Sequence, residues 1–296
     1  MKTNILTIIM ALLVVFQINA QALNQEISDD GDSPFLLGKI NKNGLEGENY
    51  TTWFTKNYND YKPNITIINA IASELKTYSI KLFMGTWCGD SKKEVPRLYK
   101  VLEACNFPLT QLENVALSRK TGMYKQSPQH EEAGLNIHRV PTVIFYKNGK
   151  EINRIVEHPK QTFEKDIEAI ITNNNYKSNY QIVADVHTIL QKNGIKGLKK
   201  NKKQLLRTYK GKVKSMYELN TYGYILFTTE KQNEAISVLK LNTKLFPNEP
   251  NTFVSLSTKL AKTGHIKMAK KSLKKALKLD PKNKLALKSM EALKSK

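Results

Sequence analysis

A cysteine stands where a strand is expected to meet a helix, in the segment Phe83-Met-Gly-Thr-Trp-Cys-Gly-Asp-Ser-Lys-Lys-Glu-Val-Pro96. The nucleophile in thiol–disulfide exchange is the thiolate, and a free cysteine with a pKa of about 8.5 is mostly protonated at neutral pH. A helix N-terminus favours the thiolate because its unpaired N–H groups carry partial positive charge. Lys92 and Lys93 add to this charge and Asp90 opposes it. Cys88 is therefore the candidate nucleophile of an exchange reaction.

The helix that positions this cysteine is predicted from the spacing of apolar residues after it. They recur at intervals of three and four, at Val95, Leu98, Val101, Leu102 and Cys105. Cys105, the other cysteine of the chain, would lie some 25 Å from Cys88 along an unbroken helix, whereas a disulfide needs Cα atoms within about 7 Å. We expect Cys105 to be a small buried apolar residue.

The turn at Cys88 resembles the active site of the thioredoxin family, and a second match is Arg139-Val-Pro-Thr-Val-Ile-Phe-Tyr-Lys-Asn-Gly149. Pro96 matches the proline of that family's active-site helix. The resemblance spans about residues 63–175 and implies an α/β thioredoxin-like domain, a central mixed sheet flanked by helices, with Pro141 cis beside the cysteine. It implies catalytic roles for Cys88, Ser91 and Pro141, and substrate binding by Trp87, Gly89 and Val140.

Two departures from the family pattern restrict the expected chemistry. Ser91 stands where family members have the second cysteine, which attacks the mixed disulfide and releases the substrate. A hydroxyl can donate a hydrogen bond to the thiolate but cannot attack, so resolution needs a second thiol on the client or a small external thiol. Leu82 replaces a buried carboxylate that often accepts a proton. The expected activity is monothiol exchange on protein clients, as an oxidoreductase or isomerase.

Other functions remain open at this point. A degenerate thioredoxin fold can serve as a non-catalytic binding or scaffold protein, since fold does not fix function. His138 and Arg139 either reach the thiol side of the domain or are exposed loop residues. The sequence has no zinc spacing, Walker loop, dinucleotide fingerprint or Ser-His-Asp order. It therefore predicts no metal and no cofactor.

The first residues predict export. Lys2 is followed by the apolar stretch Ile5 to Phe16 and then by Ala20-Gln-Ala22, as in a secretory signal peptide over residues 1–22. This stretch of twelve residues is too short to span a bilayer, which takes about 20, so no transmembrane segment is expected in the mature chain. We expect a periplasmic or secreted bacterial protein, in a compartment where disulfides form.

The positive charge is concentrated in the second half of the chain. Residues 1–176 hold 20 Lys and Arg against 19 Asp and Glu, whereas residues 177–296 hold 27 against 7, which accounts for the net charge of +21. Arg207 is the only arginine of the second half, and a lysine surface argues against specific nucleic-acid recognition. These lysines are either solvent-facing or attract an acidic partner or an anionic cell-surface polymer.

An internal repeat marks the same half. Matching residues recur at one constant interval, in the pairs Leu219 and Phe253, Leu226 and Leu260, Ala235 and Ala269, Leu239 and Leu273, and Pro247 and Pro281. The interval and the pattern resemble the tetratricopeptide repeat, in which small residues let two helices approach and a proline follows the second. An all-α repeat domain that holds a client or protein partner is the expectation.

These observations predict five segments. Residues 23–62 form an N-terminal extension between the signal peptide and the thioredoxin-like domain, and we expect its aromatic residues Trp53, Phe54, Tyr58 and Tyr61 to pack on that domain. Residues 176–216 form a linker and a degenerate helical pair around Gly194. Residues 217–296 form the repeats and a capping helix.

Overall fold

The structure, a computed structural model, describes residues 22–28 and 33–293. The predicted signal peptide lies outside these residues, except for Ala22. Within the described part of the chain, no helix is long and apolar enough to cross a membrane.

A mixed five-stranded sheet forms the centre of the first region. The strands are β1 (Glu26–Ile27), β2 (Phe35–Leu36), β3 (Gly38–Ile40), β4 (Ser79–Met84), β5 (Leu112–Ala116), β6 (Thr142–Lys147) and β7 (Lys150–Val156). The order in the sheet is β3-β5-β4-β6-β7, and β1 pairs with β2 separately. Strands β4 and β5 are parallel, and the other neighbours are antiparallel. The candidate site therefore begins at the end of β4, the central strand of the sheet.

Helices cover this sheet. They are α1 (Lys42–Leu45), α2 (Thr51–Asp60), α3 (Ile65–Leu75), α4 (Gly89–Ala104) and α5 (Phe163–Ile171). Helix α4 continues through Pro96, and its apolar face at Val95, Leu98 and Leu102 is buried in the core, as the spacing predicts. The coarse prediction of a mixed sheet flanked by helices is confirmed.

The segment predicted as an N-terminal extension contributes to this sheet. Its strand β3 pairs with β5, with Lys39 opposite Val115, and so covers an edge that would otherwise expose unpaired backbone groups. On α2, the ring of Phe54 packs edge-to-face on Tyr99 of α4, with ring centroids 5.9 Å apart. The sequence did not indicate β3, because three residues are too few to show a period.

The second region is entirely helical. Its helices are α6 (Gln181–Tyr209), α7 (Tyr217–Thr228), α8 (Gln232–Leu245), α9 (Pro250–Lys262), α10 (Ile266–Leu279) and α11 (Lys284–Ala292). The predicted helical pair is visible as a break in α6 at Gly194, where φ is 56° and ψ is −157°. Both ends of α10 follow those of α8 by the interval of the sequence repeat, which therefore corresponds to successive helical hairpins. The prediction of an all-helical region is confirmed.

Small residues bring the paired helices together. A Cβ atom on Gly223 of α7 would lie 3.1 Å from the Leu239 side chain on α8. In the next hairpin, Ser257 occupies the place of this glycine, and its hydroxyl donates to the Ala269 carbonyl at 3.0 Å. The helices of the first hairpin thus approach closely because Gly223 has no side chain. Those of the second hairpin are joined at the same place by the hydrogen bond of Ser257.

The helical region packs on the loop that precedes β6. His138 of this loop is 3% exposed, and its ring meets Tyr180 and Tyr222 edge-on with centroids 5.6 and 6.2 Å apart. His187 Nδ1 lies 3.0 Å from the Tyr222 hydroxyl. The two regions therefore share a partly aromatic interface, and His138 is not an exposed loop residue.

The interface predicts that stability falls in mild acid. Burial lowers the pKa of His138 to about 3 and that of His187 to about 4. Below about pH 6.5 the unfolded chain binds protons that the folded chain excludes, so the free energy of unfolding decreases as the pH decreases. Between pH 7 and pH 5 the decrease is about 2 kcal/mol for His138 and somewhat less for His187. Urea unfolding at pH 7 and pH 5 measures this loss. His138→Gln should lose about half of the pH dependence, and a variant with the wild-type dependence would contradict the assignment.

Candidate functional site

Cys88 is the N-cap residue of α4 and lies just beyond the end of β4. Its backbone N–H donates to the Gly85 carbonyl at 2.9 Å, which closes the turn between strand and helix. The half-buried thiol donates from Sγ to the Val140 carbonyl at 3.3 Å, and the following peptide bond, Val140–Pro141, is cis. The structure thus brings together the helix start, the thiol and the loop of the second sequence match.

Ser91 has a different partner from the one expected. It is fully buried, and its Oγ accepts a hydrogen bond from the Gly85 N–H at 3.2 Å. No hydrogen bond from Ser91 to Cys88 occurs within the described residues. Because its side chain lies beneath the turn, Ser91 fastens the first turn of α4 to the end of β4. Ser91 therefore helps to position the Cys88 thiol and makes no hydrogen bond to its sulfur.

Trp87 and the two glycines around it shape the turn. The indole Nε1 of Trp87 donates to the Leu117 carbonyl at 2.8 Å, so the ring is held against the end of β5. A Cβ atom on Gly85 would lie 2.6 Å from this ring, whereas a Cβ atom on Gly89 would meet nothing within 4 Å. Gly85 is therefore required for the position of Trp87, and Gly89 leaves open space beside the thiol.

These two glycines provide a matched pair of variants. Gly85→Ala should lower the free energy of unfolding by about 1 to 3 kcal/mol, because the added methyl group overlaps the Trp87 ring. Gly89→Ala should change it by less than about 0.5 kcal/mol. Urea unfolding followed by tryptophan fluorescence measures both values, and equal losses in the two variants would contradict the assigned packing.

The loop after β5 supplies two residues that the sequence did not single out. Lys125 is buried, and its Nζ donates to the His138 carbonyl at 2.6 Å, beside the loop that Cys88 contacts. Burial lowers the pKa of Lys125 to about 8, and the nearby charges of Arg139 and Cys88 lower and raise it respectively. The ring of Tyr124 packs on Trp87 at a centroid distance of 5.6 Å.

Arg139 is held by contacts with Glu157 and Tyr180. Its guanidinium pairs with Glu157 at 3.2 Å and lies over the Tyr180 ring, 4.9 Å from the centroid. The open alternative for Arg139 is therefore resolved as a contact of the interface between the two regions. Lys125 donates to the His138 carbonyl of the same loop, and no periodic pattern in its segment could have indicated it.

The two remaining predicted features lie in the core. Leu82 is fully buried in β4 and is part of the apolar core beneath the candidate site. Cys105 is also fully buried, and burial raises its pKa to about 11. Helix α4 is continuous between the two cysteines, and both are free thiols. Cys105 is therefore a core residue, as its spacing predicts.

No protein-family model matches the chain, and no curated protein matches it either.

Within residues 22–28 and 33–293, no group of three or more His, Cys, Asp or Glu side chains is arranged to hold a metal ion. The arrangement around Cys88 offers a partly exposed thiol at a helix N-terminus, a buried cation nearby and a cis-proline loop. These groups suit attack on a disulfide sulfur.

Proposed function

We propose that this chain is an exported thioredoxin-like protein that performs monothiol thiol–disulfide exchange on protein clients. The observation that carries the proposal is the position of Cys88 Sγ, at the first turn of α4 and 3.3 Å from the carbonyl that precedes cis Pro141. The thiolate is the form of cysteine that attacks disulfides, and this half-buried thiol remains partly accessible.

The proposed reaction conserves the number of disulfide bonds. The Cys88 thiolate attacks one sulfur of a client disulfide, a bond forms between the two sulfurs, and the other client sulfur leaves as a thiolate and takes up a proton. A second client thiol, or a small external thiol, then attacks the mixed disulfide and releases Cys88. Attack by a different client thiol gives a new disulfide within the client and so isomerises it. Attack by a small external thiol leaves that thiol bonded to the client sulfur, and a second external thiol then frees the client thiol and forms a disulfide with the first.

The loop before β6 offers a backbone group for client binding. The Val140 carbonyl is occupied by Cys88, whereas the Val140 N–H has no hydrogen-bond acceptor within the described residues. A client segment that runs along this loop can supply the acceptor, and a buried donor without a partner costs about 1 to 3 kcal/mol. Val140 and Pro141 therefore bind and orient the client beside the thiol in this proposal.

The helical region is proposed to be tetratricopeptide-like and to hold the client or a protein partner. The constant interval between α8 and α10, and the shared close approach at Gly223 and Ser257, support this assignment. A periplasmic or secreted location is part of the proposal, because the N-terminal pattern favours export and an oxidising compartment supplies disulfide clients.

Covalent trapping in cells tests the proposed function. Because no resolving cysteine follows Cys88, client adducts of the wild-type chain should persist and appear as thiol-sensitive bands on non-reducing gels. The Cys88→Ala variant should lose these bands, and Cys105→Ala should keep them. Identical bands in wild type and Cys88→Ala would contradict the proposal.

A non-catalytic binding protein is the second candidate, and Ser91 and Leu82 favour it because they replace the two groups that assist dithiol chemistry. In that case Cys88 is a structural residue of a degenerate fold. The same experiment distinguishes the candidates, since a binding protein would capture partners without a covalent bond and equally well in Cys88→Ala.

A further inference from the structure

A groove joins the candidate site to the helical region. It has a volume of about 570 Å³ and is lined by the loop after β5 and by helices α7 and α9. At its β5 end, Tyr124 packs on Trp87, the neighbour of Cys88, and also on Tyr224 of α7, with centroids 5.8 Å apart. The Tyr224 hydroxyl donates to the Thr121 carbonyl at 3.2 Å, so both regions build the groove.

A buried lysine lies at the far side of this groove. Lys259 of α9 is 8% exposed, and its Nζ lies 4.4 Å from the Tyr224 centroid and 4.6 Å from the Phe227 centroid. In residues 22–28 and 33–293, no carboxylate is within ion-pair distance of this ammonium. Burial lowers the pKa of Lys259 to about 8, so the cation lacks the solvation that an anion could restore.

The distances relate this lysine to the thiol. Steps of 5.6 Å from Trp87 to Tyr124, 5.8 Å to Tyr224 and 4.4 Å to Lys259 Nζ place the ammonium within about 16 Å of the indole, which about five extended residues can span. Between these ends, the three tyrosines Tyr124, Tyr217 and Tyr224 supply apolar surface with polar tips.

We propose that this groove binds an extended client segment in which the carboxylate of an acidic side chain pairs with Lys259 and places a client sulfur within about five residues at Cys88. The placement of a client sulfur at Cys88 rests on the proposed function, whereas the recognition of a carboxylate by Lys259 does not. Binding of a polyanion needs several cations. A single ammonium among aromatic rings, without a carboxylate partner in the described part of the chain, therefore matches one carboxylate on a polypeptide better.

A peptide pair tests the inference on the full chain. Both probes are fluorescent, amidated peptides with one cysteine, and they carry either glutamate or glutamine four residues after it. Binding is measured by anisotropy in the Cys88→Ala background, so that no covalent bond contributes. The glutamate peptide should bind about tenfold more tightly than the glutamine peptide.

Two lysine variants identify the group responsible. Lys259→Met should remove the preference for glutamate and leave the glutamine peptide unchanged, and its urea unfolding should remain cooperative because methionine fills the same space. Lys262→Met removes an equal charge from an exposed position on the same helix and should keep the preference. The inference is overturned if the Cys88→Ala protein with Lys259 intact does not prefer glutamate, or if adding Lys262→Met removes the preference as Lys259→Met does.

The outcomes separate this inference from the proposed function. If the glutamate preference depends on Lys259 but wild-type protein forms no mixed disulfide with an oxidised form of the peptide, the carboxylate site stands and the exchange reaction is wrong. If exchange occurs at equal rates with both peptides, the exchange reaction stands and the carboxylate site is wrong.

Discussion

Replacing Cys88 by alanine is expected to reduce exchange with a disulfide-bonded peptide to the uncatalysed rate, a loss of at least about 100-fold. The thiol is the only nucleophile at the start of α4, and Ser91 beneath it is a buried hydroxyl that accepts a hydrogen bond from Gly85. A hydroxyl at neutral pH does not attack disulfides. The rate at which the peptide disulfide exchanges with a small external thiol, with and without protein, measures the loss.

Cys105→Ala is the matched control for this variant. Cys105 is fully buried and its pKa is raised to about 11, so it contributes no thiolate at neutral pH. The variant should keep the wild-type exchange rate, although loss of a buried side chain will lower the free energy of unfolding somewhat. A Cys88→Ala protein with the wild-type rate, or a Cys105→Ala protein without activity, would contradict the assignment of the nucleophile.

Restoring a second thiol is expected to have an effect of similar size. Position 91 lies three residues after Cys88 in the first turn of α4, on the same face of the helix. In Ser91→Cys, the new thiol can attack a mixed disulfide at Cys88 without a bimolecular encounter, and well-oriented intramolecular reactions gain several orders of magnitude. The lifetime of the mixed disulfide should fall at least about 100-fold, with an internal disulfide as the product.

The control for this variant is Ser91→Ala. It removes the hydroxyl that binds the Gly85 N–H but adds no thiol, so its adducts should last as long as those of the wild type. Intact-mass spectrometry after removal of free peptide gives both lifetimes. Adducts of Ser91→Cys that persist like those of Ser91→Ala would show that position 91 does not face the bound sulfur.

Local features of the candidate site could be predicted from the sequence. The helix that begins after Cys88 follows from its apolar spacing, and the cis bond before Pro141 follows from the resemblance to a known loop. The hairpins of the helical region follow from the constant interval of the internal repeat. Each of these depends on residues close in sequence or on a pattern repeated along the chain.

Contacts between distant segments could not be predicted in this way. Lys125 and Tyr124 lie in a loop without periodic pattern. Lys125 reaches the His138 carbonyl and Tyr124 reaches Trp87 only because the sheet and α7 fix that loop. Ser91 was expected to bind the thiolate, but its partner is the Gly85 N–H, a choice set by the turn geometry. Lys259 was one of many lysines, and its burial depends on packing between helices.

The most direct test of the central claim is to locate the covalent bond that folded wild-type protein forms with a disulfide-bonded peptide at neutral pH. Peptide mapping by mass spectrometry under non-reducing conditions should find the mixed disulfide on Cys88, with Cys105 unmodified. The absence of any adduct, or an adduct confined to Cys105, would contradict the account.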